Sequence, residues 1–269
     1  MTGGTTVILP REHGAWGIVA IPFLSAVVIA GRISFPVLLT ALAVLGAFLA
    51  RYPLELLLIP MSHLRAGRPE RSALLRSAAA YGALTLGLGV LLAAVWKLYL
   101  LWALAGLGLL LFALRVWWGR RGEDRSLVAE LVGTAGLTLS ALAGWIAATG
   151  TIDASALWIW ALNGLFFSSG VLYVKSRIQT RRAVSRADES RAGTVAIVFH
   201  VLVLVFVVAV VFARWLSPLV VVPFLLAAVR AAHGIRSAAE ARFALRRLGW
   251  TEVALSLVFA AFLTLAFQQ

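Results

Sequence analysis

The chain has no cysteine among its 269 residues. That removes disulfides, thiol nucleophiles, thiolate metal sites and iron–sulfur clusters, and leaves no cue to redox compartment. Charge is scarce too, at 13% of residues, and acids are scarcest, with 11 Asp+Glu against 24 Lys+Arg and a formal net charge of +13. In a polar chain such a surplus would point to a nucleic-acid partner. Here 62% of residues are hydrophobic, whereas a soluble domain is about 45–50% apolar and roughly 25% charged. Too little polar sequence remains to cover a water-facing surface. Nucleic acid is therefore excluded as partner, and a bilayer is the expected surroundings.

Cut at its charged and turn-forming clusters, the sequence gives nine apolar runs, at about 16–31, 36–59, 79–95, 98–114, 127–149, 156–174, 194–213, 217–232 and 250–267. A spanning helix needs about 20 such residues. The third and fourth runs meet at Trp96-Lys97 with almost no loop, and the eighth is short and carries Pro223. The runs are continuous and Leu/Ala-rich, which favours helices over the alternating strands of a membrane β-barrel. Preceded by Pro10-Arg11-Glu12-His13-Gly14 and resembling the other eight, the first run is expected to be kept rather than cleaved as a signal peptide. The expected fold is all-α, a polytopic helical bundle forming one transmembrane domain over residues 1–269, with about nine spans.

Lys and Arg favour cytoplasmic loops. With an inner N-terminus, 21 of the 24 basic residues fall on the inner side, leaving Arg32, Lys97 and Arg214 outside. An odd number of spans then puts the C-terminus outside. Tryptophan, which prefers the headgroup level, agrees: Trp16, Trp117, Trp118 and Trp250 fall near inner helix ends, and Trp96, Trp102, Trp145, Trp158, Trp160 and Trp215 near outer ones. In the fifth run Gly136, Ser140, Gly144 and Ala148 recur at every fourth position, a stripe that lets a neighbouring backbone approach closely.

Ionisable groups inside a membrane cost about 2.5–3.5 kcal/mol each on insertion scales. Arg51 and Glu55 lie in the second run, four apart and so on one helix face, with Pro53 between them. Glu130 and Glu252 start the fifth and ninth runs, His200 lies about two turns into the seventh, and Asn163 sits in the sixth. Most lie in the cytoplasmic halves of their helices, which suggests a polar cavity open to the cytoplasm. Ahead of the first span, Arg11, Glu12 and His13 form the densest polar cluster, suited to holding an anion while Glu12 orients His13. Inner loops add Arg65, Arg68 and Arg71 around a Gly-Pro turn, and Lys175, Arg177, Arg181 and Arg182 after the sixth span. The basic loop from Arg115 to Arg125 reads as contact with anionic lipid headgroups.

The motif Pro10-Arg11-Glu12-His13-Gly14-Ala15-Trp16, together with Tyr173-Val174-Lys175-Ser176-Arg177-Ile178, resembles the YwiC-like bacterial membrane proteins, which implies a bacterial plasma-membrane location. More distantly, the span pattern and the large inner loops after helices two and six resemble the UbiA-type intramembrane prenyltransferases. That likeness implies a bundle whose site, near the cytoplasmic face, takes an isoprenyl diphosphate. Those enzymes hold Mg²⁺-diphosphate with spaced Asp motifs. Here the corresponding regions offer only Glu55 and Glu70, then Asp188-Glu189, with Lys175, Arg177 and Arg181 where acids are expected. No metal or other cofactor is therefore predicted, and catalysis itself is left open.

The expected activity is that of a UbiA-like transferase or a binder acting on an isoprenoid or anionic lipid. Arg11, Arg51, Arg68, Lys175 and Arg177 would hold the anion, and His13, Glu55 and His200 would serve proton transfer or positioning. A small-solute or anion transporter, or a non-catalytic membrane partner, is the alternative.

Overall fold

A computed structural model of the chain describes residues 8–10, 13–60, 69–124, 126–182, 186–236 and 245–269. No strand occurs among them. The helices, in order, are α1 (His13–Ala30), α2 (Phe35–Leu58), α3 (Arg71–Trp96), α4 (Leu100–Arg120), α5 (Leu127–Thr138), α6 (Ser140–Thr149), α7 (Ala154–Arg182), α8 (Arg186–Phe212), α9 (Val221–Arg236) and α10 (Leu245–Phe267). Eight segments, with α5 and α6 counted as one, are long and apolar enough to cross a membrane, and Gly14–Ala30 is a shorter apolar helix. The protein is an all-α, multi-pass membrane protein.

Several helices outrun the apolar runs. Helix α3 begins at Arg71, α7 continues to Arg182, α8 starts at Arg186 and α10 at Leu245. Hydropathy falls at the first charges, but Arg, Ala and Leu are all good helix formers, so the backbone stays helical beyond the apolar stretch. The reverse happens in the fifth run, which is broken at Leu139. On either side of the break, Thr134 Oγ1 donates to the Glu130 carbonyl (2.9 Å), Thr138 Oγ1 to the Ala135 carbonyl (3.1 Å) and Ser140 Oγ to the Val19 carbonyl of α1 (2.8 Å). Hydroxyls that bond back to helix carbonyls bend the helix. The α3–α4 connection is as tight as expected: Lys97 takes the left-handed conformation at φ 59°, its N–H closing on the Ala93 carbonyl.

The chain divides into two compact units, Met1–Trp160 and Ala161–Gln269. In the first, α1 packs on α5 and α6, α2 on α3, α4 and α6, and α4 on α5. Phe23, Val27, Val37 and Ala147 form one buried cluster, and Leu92, Leu98 and Ile146 another. The small-residue stripe is where α1 docks: a Cβ on Gly144 would stand 2.8 Å from the Phe23 carbonyl oxygen, so only glycine permits this approach. Gly136, before the break, faces Leu111 of α4 instead. Trp145, expected near an outer helix end, is buried.

In the second unit α8 packs on α9, and α10 packs on α9 and on the short 3-10 turn Pro218–Val220. Phe166 stacks on Phe259 with centroids 4.0 Å apart, and Phe224 meets both edge-on. Such aromatic pairs add about 0.5–1.5 kcal/mol each beyond area burial. Outside both cores, large apolar side chains such as Leu86, Leu109, Leu202, Phe212 and Leu257 are exposed, as lipid contact requires.

Candidate functional site

In the first unit the charges buried within the membrane-spanning helices meet at Glu55. Arg51 Nη1 lies 3.7 Å from Glu55 Oε1, the i, i+4 pair expected from the sequence, and both side chains are only 12% exposed. Pro53, buried between them, withdraws one backbone donor from α2. A third residue completes the group: Arg115 Nε of α4 lies 3.4 Å from the same oxygen. Arg115 Nη1 also donates to the carbonyls of Asp124 (3.3 Å) and Ala129 (3.4 Å), while Gly133 of α5 leaves room for its stem. This corrects the reading of Arg115 as a headgroup contact. A helical residue one turn before the end of α4 points inward when a carboxylate and backbone carbonyls await it there. Arg120 and Arg121 stay exposed, and the Arg121 guanidinium sits 3.8 Å from the Trp117 ring centroid.

Among the described residues, Glu55 Oε1 is held by attraction rather than by hydrogen bonds. Glu55 Oε1 is buried and accepts none among the described residues. Close by in the chain, Ile8 is buried against Tyr52, Leu56, Leu57, Ala73 and Leu74, and its carbonyl accepts from Tyr81 Oη at 3.3 Å. The residues just ahead of the Arg11-Glu12-His13 motif are thus fixed to the α2–α3 surface, beside the turn of α2 that carries Glu55.

A second polar group lies in the second unit. Arg230 of α9 donates Nη1 to Glu252 of α10, and its guanidinium lies 4.2 Å from the Tyr173 ring centroid. Arg177 of α7 donates to the Gly234 carbonyl of α9. Gly234 is needed there, because a Cβ would fall on the Tyr173 ring. His200 of α8 is buried, its Nδ1 2.7 Å from the Ala196 carbonyl.

Of the eight residues singled out from sequence, Arg51 and Glu55 are brought together in the first unit. Lys175, half-buried, and Arg177 and His200, buried, belong to the second. Arg11 and Arg68 lie outside the described residues, as does the side chain of His13. Glu130 occupies the first turn of α5 as expected, behind a Ser126 cap. Glu252 lies well inside α10 and pairs with Arg230 rather than marking a helix start. Sequence reasoning missed Arg115, Arg230 and Tyr173. Arg230 had a signal, because it falls within the predicted run 217–232. Among the described residues no group of three or more His, Asp or Glu converges in a metal-holding arrangement.

Comparison with known proteins places this geometry in a family context. A family model described as YwiC-like protein matches residues 9–144, which include Arg51, Glu55 and Arg115. The chain is also 28% identical over 176 residues to "Uncharacterized protein YwiC" of Bacillus subtilis (strain 168), covering 65% of this chain and 69% of that one. No solved structure matches.

Proposed function

Because the chain belongs to the YwiC-like family, we propose that the stretch it shares with that family binds an amphiphile, an isoprenoid or other lipid with an anionic head, through Arg51 with Glu55 ordering the site. The observation that carries the reading is the state of Glu55. Two guanidinium groups approach its Oε1 to 3.4 and 3.7 Å, yet that oxygen accepts no hydrogen bond among the described residues. Ions removed from water cost several kcal/mol each unless hydrogen bonds complete the pair. Charge-assisted hydrogen bonds to an anionic head would strengthen the arrangement on the arginine side. A head hydroxyl could donate to Glu55 Oε1.

Arg115 and Arg51 have different parts in this reading. Arg115 is tied to two carbonyls and holds the carboxylate in place, and Arg51, 3.7 Å from the same oxygen, is the proposed contact to the anionic head. Arg11, His13 and Arg68 are proposed contributors on sequence grounds, with Ile8 anchored beside Tyr52 and Leu56 in support. The Lys and Arg bias supports a cytoplasmic N-terminus and a site on the cytoplasmic side of a bacterial plasma membrane. Binding alone accounts for the group, without a transfer step or transport.

Native mass spectrometry of the full chain purified in mild detergent tests this. One lipid species should be retained in stoichiometric amount and lost in Arg51→Ala. Recovery of only bulk membrane lipid from both proteins overturns the reading.

A further inference from the structure

Arg230 uses only part of its guanidinium. Nη1 engages Glu252, but Nε and Nη2 are buried and have no acceptor among the described residues. These two nitrogens share one edge of the planar group, the edge that meets two oxygens of a carboxylate or phosphate side by side. Buried donors left without partners forfeit the hydrogen bonds they would make in water.

His200 has the complementary deficit. Its residue exposure is 4%. Nδ1 faces the Ala196 carbonyl at 2.7 Å, and because a carbonyl only accepts, Nδ1 carries the proton. In the neutral ring Nε2 is then an acceptor, and it too is buried without a partner among the described residues. The two side chains sit on helices that pack together, α8 and α9. Counted from the turn joining the helices at 1.5 Å per residue, His200 lies about 18 Å back along α8 and Arg230 about 14 Å along α9. They stand at one level to within a helical turn.

We propose that the second unit carries an oxyanion site for a phosphomonoester, in which the Nε and Nη2 edge of Arg230 takes two phosphate oxygens and His200 Nε2 takes the acidic O–H. A carboxylate would fill the arginine edge but has no hydrogen for the imidazole. A phosphate monoanion supplies both. The site lies outside the stretch matched by the family model and does not depend on the reading of Arg51.

The test uses the full chain in phosphatidylcholine nanodiscs, titrated with dihexanoyl phosphatidic acid, with sodium phosphate, and with dihexanoyl phosphatidylcholine, whose diester has no acidic O–H. Calorimetry should show saturable binding of phosphatidic acid and none of phosphatidylcholine. Binding of inorganic phosphate as well assigns a free phosphate ligand, whereas phosphatidic acid alone assigns a lipid headgroup. Arg230→Lys, which keeps the charge and loses the fork, should weaken binding about tenfold or more. His200→Phe should weaken it severalfold, and Arg121→Lys, an exposed position at the end of α4 outside both polar groups, should leave it unchanged. Wild-type chain that binds neither phosphate probe overturns the proposal even if the variants fail to fold. So does unchanged binding in both Arg230→Lys and His200→Phe, or equal loss in Arg121→Lys.

Discussion

Arg115 reaches from α4 to within 3.4 Å of Glu55 on α2, on the same oxygen that Arg51 approaches. One carboxylate therefore restrains two guanidinium groups, and removing it should cost more than removing either. Glu55→Gln is expected to destabilise the protein by about 3–5 kcal/mol, the usual cost of breaking a buried pair from one side. The double variant Arg51→Gln, Glu55→Gln should recover part of that loss, with a coupling of about 0.5–3 kcal/mol. Thermal unfolding in detergent gives both values. Strictly additive losses would contradict the contact.

Two neighbouring arginines on α4 should behave oppositely. Arg115→Ala removes a buried side chain tied to Glu55, Asp124 and Ala129 and should lower the unfolding midpoint by several degrees. Arg121→Ala removes an exposed group resting on Trp117, a contact contributing about 0.5–1 kcal/mol. The same melting measurement ranks them.

Gly144 and Gly82 form a second matched pair. Gly144→Ala puts a methyl against the Phe23 carbonyl, backbone that cannot swing aside, and should cost about 1–3 kcal/mol. Gly82 lies inside α3 with nothing within 4 Å of the added Cβ. Gly82→Ala should be neutral or gain up to about 1 kcal/mol from helix propensity. Reversed signs would mean that α1 does not dock on α6.

A reporter fused after Gln269 should be active only outside the cytoplasm, and one placed after Arg121 only within it. Both signals on one side would refute the proposed orientation.

Reading the sequence recovered much of this, for reasons particular residues show. Long apolar runs gave the membrane helices and even the tight turn at Trp96-Lys97, because hydropathy and span length act locally. The i, i+4 relation of Arg51 and Glu55 is equally local. Arg115 was misread because its partner lies on another helix, and no spacing rule announces which face of α4 that helix will meet. Arg230 was counted among loop charges although it sits inside an apolar run; its partner Glu252 comes from the following helix. Helix ends were placed where charge began, while the backbone of α7 and α8 continued through it. The break at Leu139 depended on hydroxyls whose bonding choices only packing decides.

Among the described membrane-spanning helices α4 is the least enclosed, with 6% of its most apolar stretch buried, and α3 has 11%. Side chains there answer to the fatty-acyl phase rather than to a fitted neighbour. Any apolar residue of moderate size serves as well as another. Kindred chains should therefore drift fastest in identity along these two helices while keeping their mean hydropathy, and the positions that resist drift, Gly119 against the Ile59 side chain among them, should stand out against that turnover.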